Sequence, residues 1–194
     1  MKAQNRKSLL SCMVVSTCFG VILLLASCNS ASDSEKNVTQ KVEAPEVDIH
    51  TAVLTGNKGA LKQHIAAGTN LNEKDPFGGS SPLISAAVFG KTEEAKILLD
   101  AGADINFQNN DGSTALLSAA FFCRSEIVRM LLDAGADKNI TNKFGVTPYQ
   151  TVAGPFEESK NVYDMIGKVL EPMGLKLDYA YIEQTRPVIA EMLK

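Results

Sequence analysis

The chain is 194 residues long and carries 19 Lys and Arg against 22 Asp and Glu, a formal charge of −3. It has no Lys/Arg stripe interleaved with aromatics, so a phosphate-gripping surface for nucleic acid is excluded. Its four cysteines, Cys12, Cys18, Cys28 and Cys123, lack the paired spacing of a zinc site.

At the N-terminus Lys2, Arg6 and Lys7 precede an apolar run from Leu9 to Leu25, which ends in Leu25-Ala26-Ser27-Cys28. A short basic stretch, then an apolar one with small residues at its end, reads as a secretory signal over residues 1–27. The alternative is an uncleaved membrane helix, because the run is near the minimum length that spans a bilayer. The four-residue ending resembles the lipobox of bacterial lipoproteins. That resemblance implies cleavage before Cys28, lipid on its sulfur, and attachment to a membrane of the bacterial cell envelope. Asn29 is not the aspartate that retains lipoproteins at the inner membrane in some bacteria, so the expected address is the periplasmic face of the outer membrane. Losing Lys2, Arg6 and Lys7 leaves 16 basic against 22 acidic residues, a charge of −6. Residues 28–46, rich in Ser, Asp, Glu, Lys, Thr and Gln, read as a flexible tether with a reach of roughly 20–25 Å.

The remainder is periodic. Leu-Leu-Asp-Ala-Gly-Ala-Asp stands at 98–104 and again at 131–137, and Gly79, Gly112 and Gly145 share the same spacing, as do Pro82, Ala115 and Pro148. A fixed period in this range marks stacked supersecondary units. Ser81, Thr114 and Thr147 are placed to cap a first helix, with Pro82 and Pro148 where proline is best tolerated. Ala86-Ala87 and Ala119-Ala120 allow close helix approach. The second helix carries Glu93 and Glu94, or Glu126, near its positive end, and Gly102 and Gly135 follow as left-handed terminators.

A Thr-Pro-Leu-like opening, an Ala-Ala pair, a Leu-Leu run and a Gly-Ala-Asp-x-Asn exit resemble the ankyrin repeat family. The resemblance implies an all-α solenoid of about four helix-turn-helix units over residues 47–172 (47–75, 76–108, 109–141 and 142–172), with short hairpin loops. Ile49-His50-Thr51-Ala52, Gly56, Gly68 and Leu71-Asn72 fit a degenerate first unit. In the fourth, Gly154-Pro155-Phe156 interrupts the pattern, and a helix resumes from Asn161 to about Glu171. The family's loop histidine is kept only at His50 and replaced by Ile84, Leu117 and Gln150, and the turn glycine of Gly56 and Gly90 becomes Cys123. Residues 173–194 read as a C-terminal helical cap, started by Asp178 and kinked or divided by Pro187.

No residues read as a catalytic site, metal site or cofactor site. His50 and His64 are structural, and Cys123 is a turn residue with no histidine of its own unit to activate it. Asp100, Asp104, Asp133 and Asp137 recur with the period and build loops. The family resemblance implies a non-catalytic interaction module, a monomer that binds a client protein through a concave face of hairpin tips and first helices. Carried onto this chain, the partner-binding positions are Phe77, Phe89, Asn110, Asp111, Phe121, Phe122, Lys143 and Phe144, with Thr141 on the rim. An inhibitor or immunity protein that occludes an envelope or secreted enzyme or toxin is the alternative. A thiol catalyst through Cys123 is a third reading.

Overall fold

A computed structural model of the chain describes residues 42–194. The expected signal, the lipidated Cys28 and most of the tether lie outside them. The described residues form helices and no strands. Three helix pairs come first: α1 (Ile49–Thr55) with α2 (Lys58–Ala66), α3 (Pro82–Phe89) with α4 (Thr92–Asp100), and α5 (Ala115–Phe121) with α6 (Ser125–Asp133). Then come α7 (Gln150–Ala153), α8 (Phe156–Leu170), a 3-10 turn (Glu171–Met173) and α9 (Tyr179–Leu193).

The first helices start where the caps require. Ser81 Oγ accepts from the Ile84 N–H at 3.3 Å and Thr114 Oγ1 from the Leu117 N–H at 3.2 Å, each satisfying a backbone donor that a helix end leaves free. Asp48 does the same for α1. Thr147 and Gln150 cap each other reciprocally, the Gln150 N–H donating to Thr147 Oγ1 at 3.3 Å and the Thr147 N–H to Gln150 Oε1 at 2.8 Å, the pattern of a capping box.

The inner helices α1, α3, α5 and α7 stack in order, and the outer helices α2, α4 and α6 stack behind them. Ala86, Ala87, Ala119 and Ala120 are fully buried between the inner helices, where a larger side chain would hold the backbones apart. Leu83 and Leu116, and then Leu98 and Leu131, repeat as the core of successive units. The core is therefore continuous along the stack, as the period requires.

The fourth unit departs from the expected outline. α7 is a single turn, stopped by Gly154-Pro155, and α8 begins at Phe156 rather than Asn161. The place behind α7 and against α6 belongs to α9. Pro187 does not divide α9, which is continuous from Tyr179 to Leu193. Proline removes one hydrogen bond at the Glu183 carbonyl, and both Glu183 and Pro187 face solvent, so water can satisfy that carbonyl while the buried side, with Ile182, Arg186, Ile189 and Leu193, keeps the helix continuous.

Candidate functional site

Each hairpin tip is held by one Asp or Asn side chain. Asp75 Oδ1 accepts from the backbone N–H groups of Phe77 and Gly78, both at 2.8 Å, and its Oδ2 from Ser80 at 2.6 Å. Asn109 accepts from Asp111 and Ser113, and Asn142 from Phe144 and Val146. Burial works to raise the Asp75 carboxyl pKa, but the backbone donors of Gly78, Phe77 and Ser80 outweigh it and hold the group below the ordinary carboxylate value. Adjacent tips are then laced together. The Asn110 N–H donates to the Gly78 carbonyl at 3.0 Å and the Lys143 N–H to the Asp111 carbonyl at 2.8 Å. Gly79 is required in this lacing, because its φ is +66° and a Cβ there would collide with the Asn110 side-chain amide.

Deeper in the loops, the Asp104 N–H donates to Asn72 Oδ1 and the Asp137 N–H to Asn106 Oδ1, both at 2.9 Å. Gln108 Nε2 donates across to Thr141 at 3.3 Å. These amide side chains link neighbouring loops where the histidine is missing. His50 makes its own link, Nε2 donating to the Glu73 carbonyl at 3.1 Å.

On this pinned edge Phe77 is 85% and Phe144 77% exposed, with exposed Asn110, Asp111, Thr141 and Lys143 on the tips between and around them. The other three aromatic positions do not join them. Phe89 and Phe121 are the last residues of α3 and α5, and a seven-residue helix rises about 10 Å, so they lie at the helix end away from the tips. Phe89 is partly buried there. Phe121 stacks on Tyr163 of α8 with ring centroids 4.3 Å apart and meets Phe122 edge-on at 5.0 Å. Phe122 is 5% exposed and belongs to the interior. The single aromatic face drawn from the sequence is thus divided: two rings on the tips and three at the opposite end, of which Phe121 is stacked on an added helix.

The far end has its own chemistry. Cys123 holds the glycine position of the turn with φ +54°, the one non-glycine residue with positive φ among the described residues. Its side chain is fully buried, and the thiol donates toward the Ile182 carbonyl at 3.7 Å. Burial pushes its pKa up to about 11 against the weaker pull of the Arg186 and Arg124 charges, the reverse of an activated nucleophile. Tyr163 donates its hydroxyl to the Phe121 carbonyl at 2.5 Å and accepts from Arg186 Nη1 at 3.2 Å, and burial first, with the neighbouring thiol, pushes its pKa up to about 12. His64 bridges Thr69 Oγ1 and the Val47 carbonyl inside the first unit. Asp104 and Asp137 accept from the N–H groups of Asn106 and Asn139, and Asp100 pairs with Lys96 at 2.8 Å. These carboxylates are spent on loop and helix contacts.

Sequence reasoning passed over Asp75, Tyr163 and Arg186. The recurrence of Asn109 and Asn142 at the repeat spacing was a readable signal for the tip turns, and Asp75 sits one residue off it because its own tip, from Asp75 to Gly79, is longer by one. Tyr163 and Arg186 lie outside the repeat and had no such signal.

Residues 49–142 match the family model for ankyrin repeats, in three copies. The chain is 40% identical over 58 residues to the human DNA-binding protein RFXANK, covering 30% of this chain and 22% of that protein. It is 36% identical over 58 residues to mouse inversin, covering 30% of this chain and 6% of that protein. It thus spans less than a quarter of the length of either. Among solved structures it is similar to the ankyrin repeat domain of Bcl-3, a member of the IkappaB protein family, with a TM-score of 0.52 and 32% identity over 53% of this chain and 45% of that one. The architecture is an all-helical ankyrin repeat solenoid, and ankyrin repeats generally mediate protein–protein interaction.

Proposed function

We propose that this chain binds a client protein along its hairpin edge, without catalysing a reaction, and that Cys28 carries the lipid that holds it in the bacterial cell envelope. The observation that carries the binding reading is the pair Phe77 and Phe144, 85% and 77% exposed on tips that hydrogen bonds have already fixed. A ring left in water on a rigid loop offers large contact area at little cost in side-chain entropy. Asn110, Asp111, Thr141 and Lys143 supply hydrogen-bonding groups around the two rings, the polar rim of an interface. The envelope reading is supported by Leu25-Ala26-Ser27-Cys28 after the basic and apolar stretch, with a polar tether to separate the solenoid from the membrane.

The test is capture from detergent-solubilised envelopes with the full chain beside its Phe77→Ala/Phe144→Ala variant. A client retained in stoichiometric amount by the first and lost from the second is the expected result. Equal retention by both would overturn the hairpin edge as the binding face. For the anchor, Cys28→Ser is expected to leave an uncleaved precursor or to release the protein from membranes. Mature size and membrane retention unchanged in that variant would refute lipidation.

A further inference from the structure

The hairpin edge leaves unused a cleft of about 320 Å³ between α7, the start of α8 and α9, lined among others by Tyr149, Gly154, Glu183, Arg186, Pro187 and Glu191. Its volume is at the lower end of the ~300–1,000 Å³ usual for small-molecule sites. The unusual group in it is Arg186, only 3% exposed. Its acceptors are all uncharged: Nη1 donates to the Tyr163 hydroxyl at 3.2 Å, and Nη2 to the Gly154 carbonyl at 3.0 Å and Ser159 Oγ at 3.3 Å. Its Nε–H is buried without an acceptor, and no carboxylate lies within ion-pair distance of it among the described residues.

A guanidinium stays protonated in a protein, so it cannot escape burial by becoming neutral, as a lysine can. A buried cation with only neutral partners is costly, and adding an anion relieves that cost. The rim has the opposite sign. Glu191 is paired with Lys194, while Glu183, one helical turn before Arg186 and exposed, has no ion-pair partner among the described residues. With Glu191 neutralised by Lys194, which also lines the cleft, Glu183 is the uncompensated rim charge; it disfavours a multiply charged anion such as phosphate and attracts an ammonium group.

We propose that this cleft binds a small zwitterion of amino-acid type, its carboxylate accepting from the Arg186 guanidinium and its ammonium facing Glu183, with Tyr149 and Pro187 as apolar walls. The site is independent of the hairpin edge and does not rest on client binding there.

The test is a thermal-shift screen of the full chain in neutral detergent with each common L-amino acid, acetate and inorganic phosphate, followed by calorimetric titration of whatever stabilises. At least one amino acid is expected to bind saturably and about tenfold or more tighter than acetate, with phosphate the weakest. Glu183→Gln, an exposed rim change that leaves the helix contacts in place, is expected to weaken the amino acid about threefold to fivefold, as for loss of one exposed charge pair, and to leave acetate bound as well or slightly better. Arg186→Lys, which keeps a charge but removes the planar guanidinium, is expected to abolish saturable binding of both. Because Arg186 also ties α8 to α9, the Glu183→Gln result decides if that variant unfolds. Absence of saturation by any amino acid at about 10 mM, preference for phosphate, or an unchanged amino-acid to acetate ratio in Glu183→Gln would each overturn the proposal.

Discussion

Replacing Tyr163 by Phe removes one oxygen atom, and the structure says that this atom holds α8 onto the stack. The hydroxyl donates to the Phe121 carbonyl at 2.5 Å and accepts from Arg186 at 3.2 Å, and the side chain is fully buried. In the variant, Phe keeps the ring stack on Phe121 but leaves the Phe121 carbonyl with only the weak Cys123 thiol donor at 4.0 Å and a buried guanidinium N–H without a partner. A hydrogen bond to a charged group contributes about 1.5–3 kcal/mol, and a buried acceptor left unsatisfied costs about 1–3 kcal/mol. The two share one oxygen and relax together, so a loss of about 3 kcal/mol is expected. For a folded unit of this size that is a fall in Tm of about 6–12 °C. Tyr181→Phe is the control, since Tyr181 is 46% exposed, and it is expected to move Tm by less than about 2 °C, within the ±0.5 kcal/mol of ordinary surface changes. Thermal melts of the full chain in one detergent measure both. A Tyr163→Phe melt that matches the control would show that the hydroxyl makes no buried contact and that α8 is not docked on Phe121.

Phe121→Ala is expected to cost about 2–4 kcal/mol, somewhat below the ~3–5 kcal/mol of a fully buried Phe, whereas Phe77→Ala/Phe144→Ala together cost at most about 1–2 kcal/mol because the two rings bury little of their area; comparable melts for the two variants would refute the division between core and tip. The Cys123 thiol, at about 11 when folded, is protonated in both states below the ordinary thiol value of ~8.5. Above it the unfolded chain ionises first, so stability is lost as pH rises toward 11, by about 2–3 kcal/mol from this group. Cys123→Ala should remove that part of the alkaline slope in denaturant titrations, and an unchanged slope would show that the thiol is not buried. Site-resolved alkylation at pH 8 should label Cys123 about a hundredfold more slowly in the native chain than in the denatured one. Asp75→Ala takes the acceptor from the N–H groups of Phe77, Gly78 and Ser80, so client capture is expected to weaken with little change in melt; retained capture would show that the tip does not need its fixed shape.

What the sequence made legible was whatever recurs or acts locally. Ser81, Thr114 and Thr147 cap as their chemistry requires, the Ala pairs are buried, and Leu98 and Leu131 fill equivalent core positions, because capping and packing repeat when the unit repeats. The early start of α8 at Phe156 was missed because Pro155 reads as a breaker, although proline is also a favoured helix starter. The placement of Phe121 was missed for a different reason. Its neighbours along the chain mark it as the end of a first helix, while what covers it is Tyr163, 42 residues away and outside any repeat. Arg186 was passed over for the same reason, since its partners come from Gly154, Ser159 and Tyr163. Cys123 took the left-handed turn that glycine would normally supply, and only the structure shows the thiol directed at the Ile182 carbonyl as compensation.

The way the last unit is built bears on which surface remains open. A solenoid must cover its final outer position, and here α9 does so against α6 and α7, with Ile182, Ile189 and Leu193 buried in the contact. That frees α8 to lie where the turn of the third unit would otherwise face water, and its Tyr163 closes over Phe121 and the Cys123 turn. A client approaching that end meets the polar and apolar outer side of α8, not the repeat aromatics. Among the described residues the hairpin edge has no such cover, and its exposed rings are the two that the repeat does not require for folding. An interaction surface on this chain is therefore best sought at the tips, where aromatic area has been left in water by loops whose own hydrogen bonds are already complete.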